Sequence, residues 1–333
     1  MKSKIMVLMM LLSVCIVLTS GCTDTQDDSG TASDSDKKIV VVSIVPQAEF
    51  VEKIAGDNVD VVIMVPPGAS PHSYEPTPSQ LTDLSNAGMY AMVGSGITIE
   101  DVLMEKITDL NPDMLVVDCS KGITLQEMVA HEHDHEEEAD HEEEHDHEEE
   151  HDHEEEHDHE EEHDHEEEHD HEGLDPHIWT SPDNVEVMVE NIYEGLVEID
   201  PENEATYLEN KNAYLAELDA LDEQIKVILS GKEGSSFMVY HPAWGYFANH
   251  YGLVQVPVEI EGKEPSVQDM QNLIDEANDK GIKVIFVQTG FSTVSAEAIA
   301  NEIDGEVVEL DPLSKDYIAN LVKVADAFEK GLA

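Results

Sequence analysis

KKIVVVSIVPQAEFVEKIAGDNVDVVIMV, residues 37–65, reads as strand, helix, strand, and that reading decides the fold. IVVV and VVIMV are continuous apolar runs, rich in β-branched side chains, rather than alternating ones. Such runs belong to strands buried on both faces, as in a parallel sheet. Between them QAEFVEKIAG has helical spacing and stops at Gly56, so it can serve as the crossover that parallel strands require. The alternation continues with helix PTPSQLTDLSNAG, strand MYAMVG, helix IEDVLMEKITDL and strand MLVVD. Further on, SFMVY, LVQVPVEI, KVIFVQ and EVVEL read as strands, with helices beginning near Ala243, Pro265, Ser295 and Lys315.

Two helices separate these halves. Ser181-Pro182 opens one, with Val185, Met188, Val189, Ile192 and Leu196 along a single face. Asp200-Pro201 opens the other, which carries Leu208, Leu215, Leu218, Leu221, Ile225 and Ile228 at helical spacing until Gly231. A helix of about thirty residues spans about 45 Å, long for a crossover inside one lobe and suited to a strut. The expected fold is therefore α/β: two four-stranded lobes joined by a single long α-helix, with a cleft between them. The N-terminal lobe is placed at 37–200, the linking helix at 201–230 and the C-terminal lobe at 235–333.

The chain opens MKSKIMVLMMLLSVCIVLTSGC. Lys2 and Lys4 precede an apolar core too short for a comfortable membrane span, the pattern of a secretory signal. Leu18-Thr19-Ser20-Gly21-Cys22 resembles a lipobox, so residues 1–22 are expected to end at a lipidated Cys22, with 23–36 as a flexible polar tether. Cleavage near Ser20 or Gly21 without lipid is the alternative. Once Cys15 leaves with the signal and Cys22 takes the lipid, Cys119 is the one remaining thiol, which excludes an intramolecular disulfide.

The formal charge is −60, from 16 basic and 76 acidic residues. So acidic a chain repels nucleic acid and attracts cations, and no nucleic-acid partner is expected. Residues 131–172 hold −27 of that charge in a tract of 14 histidines, 27 acids and one alanine, leaving −33 elsewhere. Its imidazoles are His131, His133, His135, His141, His145, His147, His151, His153, His157, His159, His163, His165, His169 and His171. No apolar residue there supports a core, so the loop is expected to be disordered without a ligand. A rigid cage needs partners that orient each imidazole; the tract is read instead as many weak, exchangeable accessory sites, or as a repeat tolerated in a surface loop.

Four histidines remain outside it. His72 lies in PPGASPHSYEPTPSQ, His177 in DPHIWTSP and His241 in YHPAWGYF directly after a strand; Asp311 follows the strand of VVELDPL. Ligands of open α/β sheets bind beyond the carboxyl ends of the strands. His72 and His177 belong to the first half, His241 and Asp311 to the second, so a cation held by all four would bridge the lobes. Three imidazoles and a carboxylate satisfy tetrahedral Zn²⁺. Taken singly, each has a plainer reading: a hydrogen-bonded loop histidine, or an aspartate capping a turn. His250, nine residues beyond His241, is too far along its helix to share that ion and reads as structural.

At these segments the chain resembles the metal-specific substrate-binding proteins of ABC transporters, the cluster A-I family, and in particular its zinc-uptake type. PGASPHSYEPTPSQ, DPHIWTSP, YHPAWGYFANHYGL, GKEPS and VVELDPL stand in the family's order, and the His-rich insertion falls where zinc members carry theirs. The resemblance implies a lipid-anchored monomer outside the cytoplasmic membrane that captures Zn²⁺ and delivers it to a permease with a cytoplasmic ATPase. It also implies His72, His177, His241 and Asp311 as ligands, with water or a flexible acid as the alternative to Asp311. Related manganese binders typically carry a carboxylate where this chain has His241. Three nitrogen donors favour zinc over the harder Mn²⁺, while Mn²⁺, Fe²⁺ and Ni²⁺ transport stay as alternatives. Asp175 is expected to orient His177, Trp179 to pack, and Glu264 to have no metal role.

Affinity is expected to fall below pH of about 6.5, where free imidazoles protonate. Other functions weighed are a zinc hydrolase, a metal buffer built on the tract, and adhesion. Neither HExxH nor a GxxxxGK[ST] loop occurs, so protease chemistry of that type and ATP hydrolysis are not expected of this chain.

Overall fold

The computed structural model describes residues 37–128, 173–260 and 262–332. The expectations for the leader, Cys22, the tether and the fourteen histidines of 131–172 lie outside the described residues. The first sheet contains β1 (Lys38–Val42), β2 (Val59–Ile63), β3 (Met89–Met92) and β4 (Leu115–Asp118), all parallel, in the order β2-β1-β3-β4. β5 (Ser236–Val239), β6 (Val254–Pro257), β7 (Val284–Gln288) and β8 (Glu306–Leu310) repeat the arrangement as β6-β5-β7-β8. Val40, Val41 and Val42 are fully buried, as continuous apolar runs require. In each sheet the winding reverses between the two central strands, which opens a crevice at their carboxyl ends.

The helices of the first lobe are α1 (Val45–Ala55), α2 (Pro78–Asn86), α3 (Thr98–Leu110) and α4 (Pro182–Ile199). The link is α5 (Glu204–Ile228), and α6 (Gly245–His250), α7 (Val267–Lys280), α8 (Val294–Glu302) and α9 (Tyr317–Gly331) belong to the second lobe. α5 is shorter than its sequence pattern suggests, at 25 residues or about 37 Å. Asp200 explains the difference: its Oδ2 accepts from Asn203 Nδ2 at 2.8 Å and from Tyr207 OH at 2.5 Å. Those bonds hold Pro201–Asn203 as a separate 3₁₀ turn. β6 likewise stops at Pro257, short of the apolar run that announced it.

The covalent strut is not the whole connection. α5 packs on α1 and α4 of the first lobe and on α9 of the second. Trp179 Nε1 donates to Pro312 O at 2.8 Å, the Tyr317 amide donates to Glu49 at 2.7 Å, and Phe50 meets Tyr317 edge-on at 5.3 Å. One hydrophobic core therefore holds Val40 and Phe50 of the first lobe, Tyr214 and Ile225 of α5, and Phe237 and Phe328 of the second. A smaller core around Met238, Val256 and Ile285 lies in the second lobe alone.

Candidate metal centre

The long connection from β2 to α2 carries His72. Gln80 ties that connection down: its Nε2 donates to the carbonyls of Ile63 and Met64 at 3.1 and 2.6 Å, and its Oε1 accepts from Tyr74 OH at 3.0 Å. Ser70 Oγ accepts the His72 amide at 3.3 Å. His177 follows an antiparallel bridge between Glu127 and Leu174. Met128 there donates to Gly173 at 2.9 Å, so the chain before and after residues 129–172 is paired four residues from His177. Asp175 Oδ1 then accepts both the His177 amide, at 3.0 Å, and the ring Nδ1, at 2.8 Å. His241 lies just past β5, where its Nδ1 donates to Glu259 Oε2 at 2.8 Å and its ring stacks on Phe291 at 5.4 Å.

These three histidines form a single cluster across the cleft. His177 Nε2 is 3.4 Å from His72 Nε2 and 3.2 Å from His241 Nε2. Two of the tautomers follow from the partners. Because the Nδ1–H groups of His177 and His241 face carboxylates, their Nε2 atoms present lone pairs toward each other. Burial depresses the pKa of His72 to about 3, with His177 and His241 adding to the effect. Burial also lowers His177 from its ordinary value, although Asp175 pulls the other way. His72 and His177 are thus neutral donors in a place that disfavours protons, which is what a divalent ion requires.

Asp311 departs from its expected place, for it is not part of the cluster. Its Oδ1 accepts the Leu313 amide at 2.9 Å, and its carbonyl accepts from Asn320 at 2.6 Å, an arrangement that closes the turn after β8. It lines a small cavity with Ser70, Gly290 and Phe291, beside the imidazoles. Local turn chemistry has claimed the carboxylate.

Two supports are not apparent from the sequence. Glu259 is hidden in a run that reads as strand; its signal is an acid at the carboxyl end of β6, beside the strand carrying His241. Glu100, fully buried and pushed up to about 7 by that burial, accepts from the Val93 and Gly94 amides at 2.5 and 2.9 Å and from Ser43 Oγ. It fixes the β3 loop, from which Ser95 Oγ donates to Pro176 O at 2.6 Å, next to His177. Gly245, which opens α6, faces Asp175 so closely that a Cβ would collide with Oδ2.

A second group of possible ligands, Asp183, Asp222 and His250, joins α4, α5 and α6. His250 Nε2 lies 2.7 Å from Asp222 and its Nδ1 3.3 Å from Asp183, while Lys226 and Tyr251 reach Asp222 at 2.5 and 3.1 Å. Burial pushes Asp222 up, yet these donors more than offset it and hold its pKa below the usual value. Lys226 already offsets the charge of Asp222, and the bonds of His250 tie the three helices together.

Two doubly wound sheets whose carboxyl ends meet over three convergent imidazoles define a bilobed metal-binding protein. The family model of ZnuA, described as zinc-uptake complex component A, periplasmic, matches residues 40–331, and the chain belongs to that family. It is 30% identical over 304 residues to the high-affinity zinc uptake system protein ZnuA of Bacillus subtilis, covering 91% of this chain and 86% of the relative. A crystal structure of ZnuA shares 37% identity with a TM-score of 0.73, covering 89% of this chain and 99% of that one. The manganese-binding lipoprotein MntA of Halalkalibacterium halodurans is 26% identical over 333 residues, with 96% of each chain covered.

Proposed function

We propose that this protein captures Zn²⁺ outside the cytoplasmic membrane and hands it to the permease of an ABC transporter, whose ATPase works on the cytoplasmic side. His72, His177 and His241 are the ligands. The observation that carries the reading is the Nε2 spacing of 3.2 and 3.4 Å around His177. A tetrahedral zinc ion with Zn–N bonds of about 2.0–2.1 Å places neighbouring nitrogens about 3.3 Å apart. Lone pairs fixed at that separation repel one another until a cation lies between them. An all-nitrogen set favours Zn²⁺ over the harder Mn²⁺. The fourth donor is water or, after a shift of its turn, Asp311. A hydrolase reading is disfavoured because Asp175 and Glu259, the acids beside the imidazoles, are engaged by ring nitrogens and do not serve as a free base. Cys22 carries the lipid that keeps the protein at the membrane, and the tract of 131–172 collects ions without forming the specific site.

The test is a zinc titration of three soluble forms beginning at residue 23: intact, lacking 131–172, and His241→Ala. One tight site that survives the deletion and weakens at least a hundredfold in the substitution is the expected result. Loss of all tight binding on deleting the tract would make the protein a buffer instead, and tighter binding of Mn²⁺ than Zn²⁺ would reassign the cargo.

A further inference from the structure

A dication among three neutral imidazoles brings a charge of +2 into a site where the His177 side chain is 2% exposed. Buried charge is costly unless it is paired. Asp311, the acid expected to meet the ion directly, holds its own turn instead. Two other acids stand one imidazole ring away from where the ion would sit. The Asp175 side chain is 3% exposed and that of Glu259 10%, and each is 2.8 Å from the Nδ1 of a different ligand. One comes from the first lobe and one from the second. Among the described residues no ion pair other than that with His241 involves Glu259, so its charge is not consumed by a lysine.

Glu259 is also free of backbone duty. Its own amide donates to Tyr240 O at 3.0 Å and the Val258 amide to Val239 O at 2.7 Å, so the main chain keeps the end of β6 against β5 whatever the side chain does. The carboxylate is left to face the imidazole. An acid in that place fixes the ring orientation, and it makes the Nε2 lone pair more basic as positive charge arrives on the far side.

We infer that Glu259 is a positioning residue that, with Asp175, supplies the two negative charges balancing the bound dication, one from each lobe through a histidine ring. This rests on the zinc-binding reading above. It explains how a site of three neutral histidines accepts a divalent ion even where water, and no carboxylate, fills the fourth position. It also makes discrimination by charge a property of the acids behind the ligands, separate from the choice of nitrogen donors.

Glu259→Gln separates charge from geometry, because the amide oxygen still accepts the Nδ1–H bond. Zn²⁺ and Ag⁺ affinities are measured by competition on the soluble form from residue 23, for the wild type, Glu259→Gln, Glu259→Asp and Asp175→Asn. Imidazole ¹⁵N spectra of the zinc-loaded proteins report the tautomers. Glu259→Gln is expected to keep the Nδ1–H tautomer of His241 and to lose Zn²⁺ affinity about 10–100-fold. Its affinity for the monovalent Ag⁺ should change by less than a third of that factor, and Glu259→Asp should recover part of the Zn²⁺ loss. Equal losses for both ions, or Zn²⁺ binding as tight as wild type, would overturn the inference. Asp175→Asn supplies the same comparison from the other lobe if Glu259→Gln folds poorly. Failure of the wild type to bind Zn²⁺ would instead remove the functional reading beneath it.

Discussion

His177 and His241 reach the cleft from different lobes, yet their Nε2 atoms are 3.2 Å apart, and each ring is fixed by a carboxylate behind it. Neither nitrogen can donate to the other when both Nδ1 atoms carry the proton, so the pair is a destabilised arrangement that a cation corrects. Zinc is therefore expected to raise the melting temperature. Binding at a hundred times Kd contributes about 2.7 kcal/mol. Calorimetry with zinc and with a chelator checks this, and a melting temperature indifferent to both would sink it.

The site should also make metal-free stability depend on pH. His72 is neutral in the folded protein down to about 3, and burial holds His177 neutral below its ordinary range, whereas both protonate near 6.5 when unfolded. The unfolded chain thus binds more protons at acid pH. Stability contributed by these groups is fully present above pH of about 6.5 and declines as pH falls toward 3, by at most about 1.4 kcal/mol per unit for each group. Melting curves from pH 7.5 to 4.5 should show a shallower slope in His72→Ala than in the wild type. Identical slopes would contradict the assignment.

Gly245→Ala places a methyl group against Asp175 Oδ2. Overpacking of this kind costs on the order of 1–3 kcal/mol, and the displaced acid would release the His177 ring. A zinc affinity lower by about tenfold is expected, read by isothermal titration; unchanged affinity would show that Asp175 does not govern His177.

Asp311→Ala and His241→Ala should differ sharply. Asp311 is held by the Leu313 amide outside the cluster, so its removal should weaken zinc binding by less than about tenfold, while loss of His241 is expected to remove a proposed ligand and cost several kcal/mol. Comparable losses in the two variants would put the carboxylate on the ion.

His250 is expected to serve stability and not binding. Loss of His250 removes one bond to the buried Asp222, which keeps Lys226 and Tyr251, and one to the exposed Asp183, at a cost of about 1 kcal/mol. Denaturation of His250→Ala should show that loss with zinc affinity within a few-fold of wild type. A large fall in affinity would reveal a link between the helix tie and the cleft.

Much of this architecture is legible in the chain itself. Val40 to Val42 and Ile285 to Val287 announce buried parallel strands because no face of them is polar, and the rule that ligands gather at strand ends then points to His241 and Asp311, with His72 on a loop leaving a strand, while His177 stands out only by its motif DPHIWTSP. Asp311 shows where spacing stops deciding: an aspartate after a strand is equally suited to a turn and to a metal, and its bond to the Leu313 amide is something spacing does not display. Tyr207 and Asp200 decide the start of α5 through side-chain bonds that helical periodicity does not register. Glu259 escapes notice because it is an ordinary strand-end acid until β5 and β6 are known to be neighbours.

The apolar core that joins Phe50, Tyr214 and Phe328 belongs to both halves of the molecule. Wide separation of the halves would wet it, at about 2.5 kcal/mol for every 100 Å² uncovered. Release of the ion without that separation is therefore expected to work through the long connection from β2 to α2 that carries His72. A partner that removes the ion is then expected to displace that connection and the Gln80 bonds that hold it, with the shared interior kept dry.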